Sequence, residues 1–199
     1  MKRPFRQGYF DGLCGLYSAL NACNNLVSIK EEEKDKLFRK CIEHMSRVGS
    51  LQEYIINGIT INRLGGILNV LEEEIKKNKG VVITHGKFNH KGNVNIVGYW
   101  NILSDYLKDN KDCVAIIGIN GYMAHWSCAV DIDDKKIILC DSGGLKTIDR
   151  ATAKVSKYDD DEQRLILRLD EIIKVYLNSR PPCYLHGSRG HSAYFGGGL

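Results

Sequence analysis

What the 199-residue sequence lacks narrows its class first. No apolar run approaches the ~20 residues of a membrane span, and none follows the basic start Met1-Lys2-Arg3 to serve as a secretion signal. Neither sign of charge dominates. The 28 Lys and Arg against 24 Asp and Glu leave +4, and the basic residues are dispersed. The densest charged run, Lys30 to Lys36, mixes both signs and reads as a solvated helix face rather than a nucleic-acid contact. The seven cysteines are odd in number and hold no CxxC pair, which disfavours a disulfide framework and suits reduced thiols in a cytoplasmic setting. Walker, GxGxxG, HExxH and GxSxG motifs are absent, as are internal repeats and low-complexity blocks. His125 and Cys128, three apart on a strand, would point to opposite faces and could not hold one ion together. His85 and His90 fall in a Gly- and Asn-rich stretch that reads as an exposed loop. No metal and no organic cofactor are expected.

What remains is one domain of ordinary size, long enough to bury about 70% of its unfolded surface. Residues 1–186 read as that domain, and 187–199 as a glycine-rich flexible tail. Helical spacing marks Leu16, Leu20, Cys23 and Val27, then Leu37, Cys41, Ile42 and Met45. A third helix starts near Thr60, carries Leu64, Leu68, Leu71 and Ile75, and stops at Gly80. Val81 to Thr84 is a short strand candidate, and Tyr99 to Leu107 a further helix. The second half turns to strands at Cys113 to Ile119, His125 to Ile132, Lys136 to Asp141 and Arg164 to Leu169. Asp170 is expected to cap a last helix through Leu177, ahead of Pro181-Pro182. Helices first and strands later predict an α+β domain, a helical lobe packed against an antiparallel sheet.

The most informative segment is Gln7-Gly8-Tyr9-Phe10-Asp11-Gly12-Leu13-Cys14-Gly15-Leu16. A turn delivers Cys14 to the start of an apolar helix, whose N-terminus carries about half a positive charge. That field favours thiolate over thiol. Gly15 leaves room for another chain to approach the sulfur. Gln7, seven residues upstream, can offer its amide as an oxyanion donor at the same spot.

The second informative block runs from Ala124 to Gly144 and reads as a hairpin about an Asp-Asp-Lys turn. Period-two alternation puts Trp126, Cys128, Val130 and Ile132 on one apolar face, and His125 on the other. With an odd-numbered loop, Asp141 would stand directly across from His125, at roughly 5 Å between Cβ atoms. A carboxylate there orients the imidazole and stabilises its charged form. An even-numbered loop would put the two on opposite faces.

In this order, Gln7, Cys14, His125 and Asp141, the chain resembles the papain-like cysteine peptidase superfamily. The Gln-then-Cys-Gly start and the sixteen-residue step from His125 to Asp141 resemble the bacteriocin-leader peptidases, which cut after a double glycine; that group usually has proline where Ser142 stands. The pairs His125-Trp126 and Asp141-Ser142 resemble the SUMO-protease group in permuted order. The resemblance implies a papain-like fold and a thiol hydrolase with Cys14 as nucleophile, His125 as base and acid, Asp141 as orienting group and Gln7 in the oxyanion hole. Gly15 and Trp126 are the candidates for substrate contact. The implied substrate is a peptide or protein, with a Gly-Gly motif or ubiquitin-like tail among the options. Two other readings stay open: acyl transfer by a transglutaminase, deamidase or acetyltransferase, and a binding module with an inactive triad. The tail ending Gly196-Gly197-Gly198-Leu199 is itself a candidate occupant of the cleft.

Overall fold

A computed structural model describes residues 4–8, 11–88, 94–108, 112–156 and 164–178. Four helices fill the first half: α1 (Cys14–Leu26), α2 (Glu31–Val48), α3 (Leu51–Asn57) and α4 (Ile61–Lys79). Their apolar stripes dictate which faces turn inward. Leu16, Leu20 and Cys23 of α1 meet Leu37, Cys41 and Met45 of α2 and Leu64, Leu68 and Leu71 of α4 in one core. Helix α4 ends at Gly80, whose φ of +67° makes the left-handed turn a glycine allows most readily. Periodicity could not reveal α3, which has seven residues and buries one side chain, Tyr54.

The sheet follows: β1 (Ile83–Lys87), β2 (Cys113–Gly121), β3 (His125–Ile132), β4 (Lys136–Cys140), β5 (Thr147–Asp149), β6 (Ala153–Val155) and β7 (Leu165–Leu177), with α5 (Ile96–Lys108) between β1 and β2. The strand order is β1-β7-β2-β3-β4-β5, antiparallel throughout, and β6 pairs β7 in parallel. Alternation along β2 divides the protein into layers. Val114 and Ile116 face the core shared with α1, α2 and α4, while Ala115, Ile117 and Ile119 face a second core closed by Tyr99, Trp100 and Leu103 of α5. The α+β class is as expected, with one addition: helices cover both faces of the sheet. Among the described residues no helix is long and apolar enough to cross a membrane.

Two sequence expectations are corrected. Asp170 to Leu177 is not a helix but the second half of β7. That segment lies between β1 and β2, where Ile172 enters one core and Ile173 and Val175 the other. A short β-branched run buried on both faces lacks the alternation that would have marked it. Its pairing with β2 jumps from Ile117↔Ile172 to Gly118↔Arg168, so residues 169–171 bulge out and interrupt the pattern further. The expected loop from His85 begins instead as strand: His85, Gly86 and Lys87 pair with Val175, Lys174 and Ile173. His90 and the tail from 187 lie outside the described residues.

Candidate active site

The start of α1 is held by short-range polar contacts. The Asp11 carboxylate accepts from the Gly8 N–H at 2.9 Å and the Leu13 N–H at 3.2 Å. Gly12 N–H donates to the Ile55 carbonyl at 2.8 Å. A Cβ at Gly12 would stand 2.6 Å from that carbonyl oxygen, so this approach requires glycine. Cys14 is the first residue of α1, and no side chain caps that end. The amides of the first turn therefore have no intrahelical partner and can donate elsewhere.

Buried hydrogen bonds then tie α1 to the sheet. Ser18, one turn beyond Cys14, donates to the Trp126 carbonyl at 2.7 Å, and Trp126 Nε1 donates to the Ile59 carbonyl at 2.7 Å. These bonds index the helix start against the start of β3, where His125 stands. They also account for Gly15 and Trp126. A Cβ on Gly15 would lie 3.0 Å from Ile59 Cβ and 3.3 Å from Trp126 Cδ1. The space beside Gly15 is thus taken by the protein's own side chains, and both residues pack α1 onto β3.

His125 Nε2 meets Asp141 Oδ2 at 2.6 Å. The route to that contact differs from the expected one. Ile132 pairs with Ile137, enclosing the even-numbered turn 133–136, which alone would send the two side chains to opposite faces. The pairing then steps from Asp131↔Ile138 to Ala129↔Leu139, leaving Val130 as an extra, bulged residue. That bulge restores the shared face. Cys128 pairs with Cys140, so one further step sets Asp141 opposite Ser127 rather than His125. Asp141 reaches its partner along the diagonal of the same face.

The carboxylate is locked at both oxygens. Asp141 Oδ1 accepts from the Gly143 N–H at 2.8 Å and the Leu145 N–H at 3.0 Å, and its side chain is 1% exposed. Burial alone would push the Asp141 carboxyl up, but the His125 hydrogen bond and charge outweigh it and hold it below the ordinary range. Burial likewise works against the charged His125, yet hydrogen bonds to Asp141 and then to Cys14 outweigh it and push its pKa up to about 9. With Nε2 engaged by Asp141, Nδ1 is the nitrogen left for the thiol. Cys14, His125 and Asp141 thus form one chain of contacts. Of these, Cys14 is 8% exposed.

Gln7 joins the same end of the hairpin. Its N–H donates to the Ser142 carbonyl at 3.2 Å, its Oε1 accepts from the Ser142 hydroxyl at 3.3 Å, and its Nε2 donates to the Asp11 carbonyl. Sequence reasoning missed Ser142, Ser18 and the Gly143 and Leu145 amides. Ser18 did carry a signal, a hydroxyl one turn from the cysteine on an otherwise apolar face. Backbone amides carry none. Elsewhere, His85 Nδ1 pairs with Glu72 Oε1 at 2.7 Å. Among the described residues no group of three or more His, Cys, Asp or Glu is arranged to hold a metal ion.

Comparisons with family models, with curated proteins and with solved structures find no match.

Proposed function

We propose that the protein is a cysteine hydrolase of the papain-like class, cleaving a peptide or isopeptide bond in a peptide or protein substrate. The observation that carries this reading is the His125 imidazole, hydrogen-bonded at 2.6 Å to a buried carboxylate and in electrostatic contact with the thiol of a helix-start cysteine. The order Gln7, Cys14, His125, Asp141 and the packing of the nucleophile helix on the sheet that bears His and Asp support the papain-like assignment.

The chemistry follows from the contacts. His125, kept protonated by Asp141, pairs with the Cys14 thiolate. The thiolate attacks the substrate carbonyl, forming a carbon–sulfur bond, and the oxygen takes the charge. The Cys14 N–H and the Nε2 hydrogen of Gln7 that Asp11 does not use stabilise that oxyanion. His125 gives its proton to the leaving amine, then takes one from the water that releases the acyl group as a carboxylic acid. The buried thiols at Cys23, Cys41 and Cys128 fit a reducing compartment such as the cytoplasm.

The test is a screen of peptide and ubiquitin-like C-terminal electrophiles, with mass-spectrometric location of the label. Wild type should be labelled at Cys14, and His125→Ala should not be labelled. Labelling of another cysteine, or equal labelling of His125→Ala, would overturn the assignment. An amine rather than water as the preferred acyl acceptor would redirect it to acyl transfer.

A further inference from the structure

We propose that Ser142 is a positioning residue that orients the Gln7 amide, so that the dipeptide Asp141-Ser142 aligns both the base and the oxyanion donor. This rests on the cysteine-hydrolase reading. A primary amide has two ends of nearly equal shape, and half a turn about its last bond exchanges donor for acceptor. Only one orientation serves an oxyanion. The Asp11 carbonyl accepts and cannot donate, so it requires the Gln7 nitrogen to face it. The Ser142 hydroxyl can do either, and it completes that orientation by donating to Oε1 at 3.3 Å. Each end of the amide then has a partner, and one Nε2 hydrogen is left over.

Ser142 is suited to this by its own anchoring. It is 2% exposed, and its carbonyl separately accepts the Gln7 N–H at 3.2 Å. The backbone contact sets where Gln7 lies, and the hydroxyl holds its amide in the orientation that the Asp11 carbonyl selects. Its chain neighbour Asp141 holds His125 at 2.6 Å. Any shift of this dipeptide would move the imidazole and the amide together, which keeps their relative placement constant.

The experiment uses p-nitrophenyl acetate, whose acylation step builds an oxyanion, beside iodoacetamide, whose reaction with the thiolate does not. Ser142→Ala should slow acylation about tenfold, the scale of one neutral hydrogen bond, while iodoacetamide labels Cys14 at the wild-type rate. The alkaline limb of the acylation rate near pH 9 should stay in place, because Asp141 and His125 are untouched. In a Gln7→Ala background, Ser142→Ala should add no further loss. An undiminished rate in Ser142→Ala, a moved limb, or a full additional loss in the double variant would overturn the role of Ser142. Equal acylation of wild type and Cys14→Ala would instead overturn the hydrolase reading itself. Should Ser142→Ala fail to fold, the wild-type protein still decides: the Gln7 Nε2 protons should show strong NMR cross-relaxation to Asp11 and little to the Ser142 side chain, and equal cross-relaxation to both, from an amide averaged over its two orientations, would refute the proposal.

Discussion

Among the described residues, two histidine–carboxylate pairs have nearly the same bond: His125–Asp141 at 2.6 Å and His85–Glu72 at 2.7 Å. Their surroundings differ. The Asp141 side chain is 1% exposed and that of Glu72 is 21% exposed. The second oxygen of Asp141 is held by two backbone amides. On the far side of the imidazoles the contrast is sharper: His125 has the Cys14 thiol, whereas His85 Nε2 faces Gly65 of α4. The hydrogen bond alone therefore does not define a candidate site. What sets one pair apart is a third reactive group and a carboxylate that cannot turn away.

The largest effects should come from removing the members that only the first pair has. Cys14→Ala and His125→Ala should each abolish acyl transfer to the level of the uncatalysed background, since the two act as a unit. Circular dichroism should show both variants folded. Residual turnover in Cys14→Ala would mean that the distinction between the pairs has nothing to do with the thiol. Next in size is Gln7→Ala, expected to lower kcat by about 10²–10³, the loss seen when one oxyanion donor is removed. Gln7→Glu should be worse at neutral pH, because a carboxylate there repels both thiolate and oxyanion. If glutamate is tolerated better than alanine, Gln7 has no part in the site.

Asp141→Ala should cost less than either of the first two, since the base remains and only its orientation and charge support are lost. Its signature is in pH. His125 sits at about 9 in the folded protein, above the roughly 6.5 of an unfolded histidine. The stability it contributes is fully present below about pH 6.5 and lost as pH rises through about 9. Asp141→Ala removes the chief groups that raise the histidine, so the alkaline limb of Cys14 alkylation should move to lower pH. A limb that stays near 9 would show that a group other than Asp141 supports the imidazole.

The helical lobe was legible because its stripes have the helix period and because α4 stops at a left-handed glycine, Gly80. Strands β2, β3 and β4 were legible because β-branched runs were separated by turn residues. The second half of β7 was not, since a strand buried on both faces offers no period to read. The site shows the same division. Residue types and order singled out Cys14, His125, Asp141 and Gln7 as candidates. The register joining His125 to Asp141 depended on a bulge at Val130, and nothing in the local sequence announces which residue of a hairpin bulges. The packing role of Gly15 was equally hidden, because it depends on Ile59, distant in sequence.

The smallest effect is the control for the comparison, Glu72→Gln. The His85–Glu72 pair is partly solvated, with side chains 17% and 21% exposed, so an ion pair there contributes at most about 1 kcal/mol. Glutamine keeps an acceptor for the ring, which reduces the loss further. The melting temperature should fall by no more than roughly 2–4 °C, the shift that 1 kcal/mol produces in a chain of this size. Acyl transfer and the pH profile of Cys14 alkylation should match wild type, because Glu72 and His85 bridge α4 and β1 while His125 stands at the start of β3. A shift of the alkaline limb in Glu72→Gln would show that the two pairs are coupled through the sheet. The contrast drawn between a structural pair and a site pair would then fail.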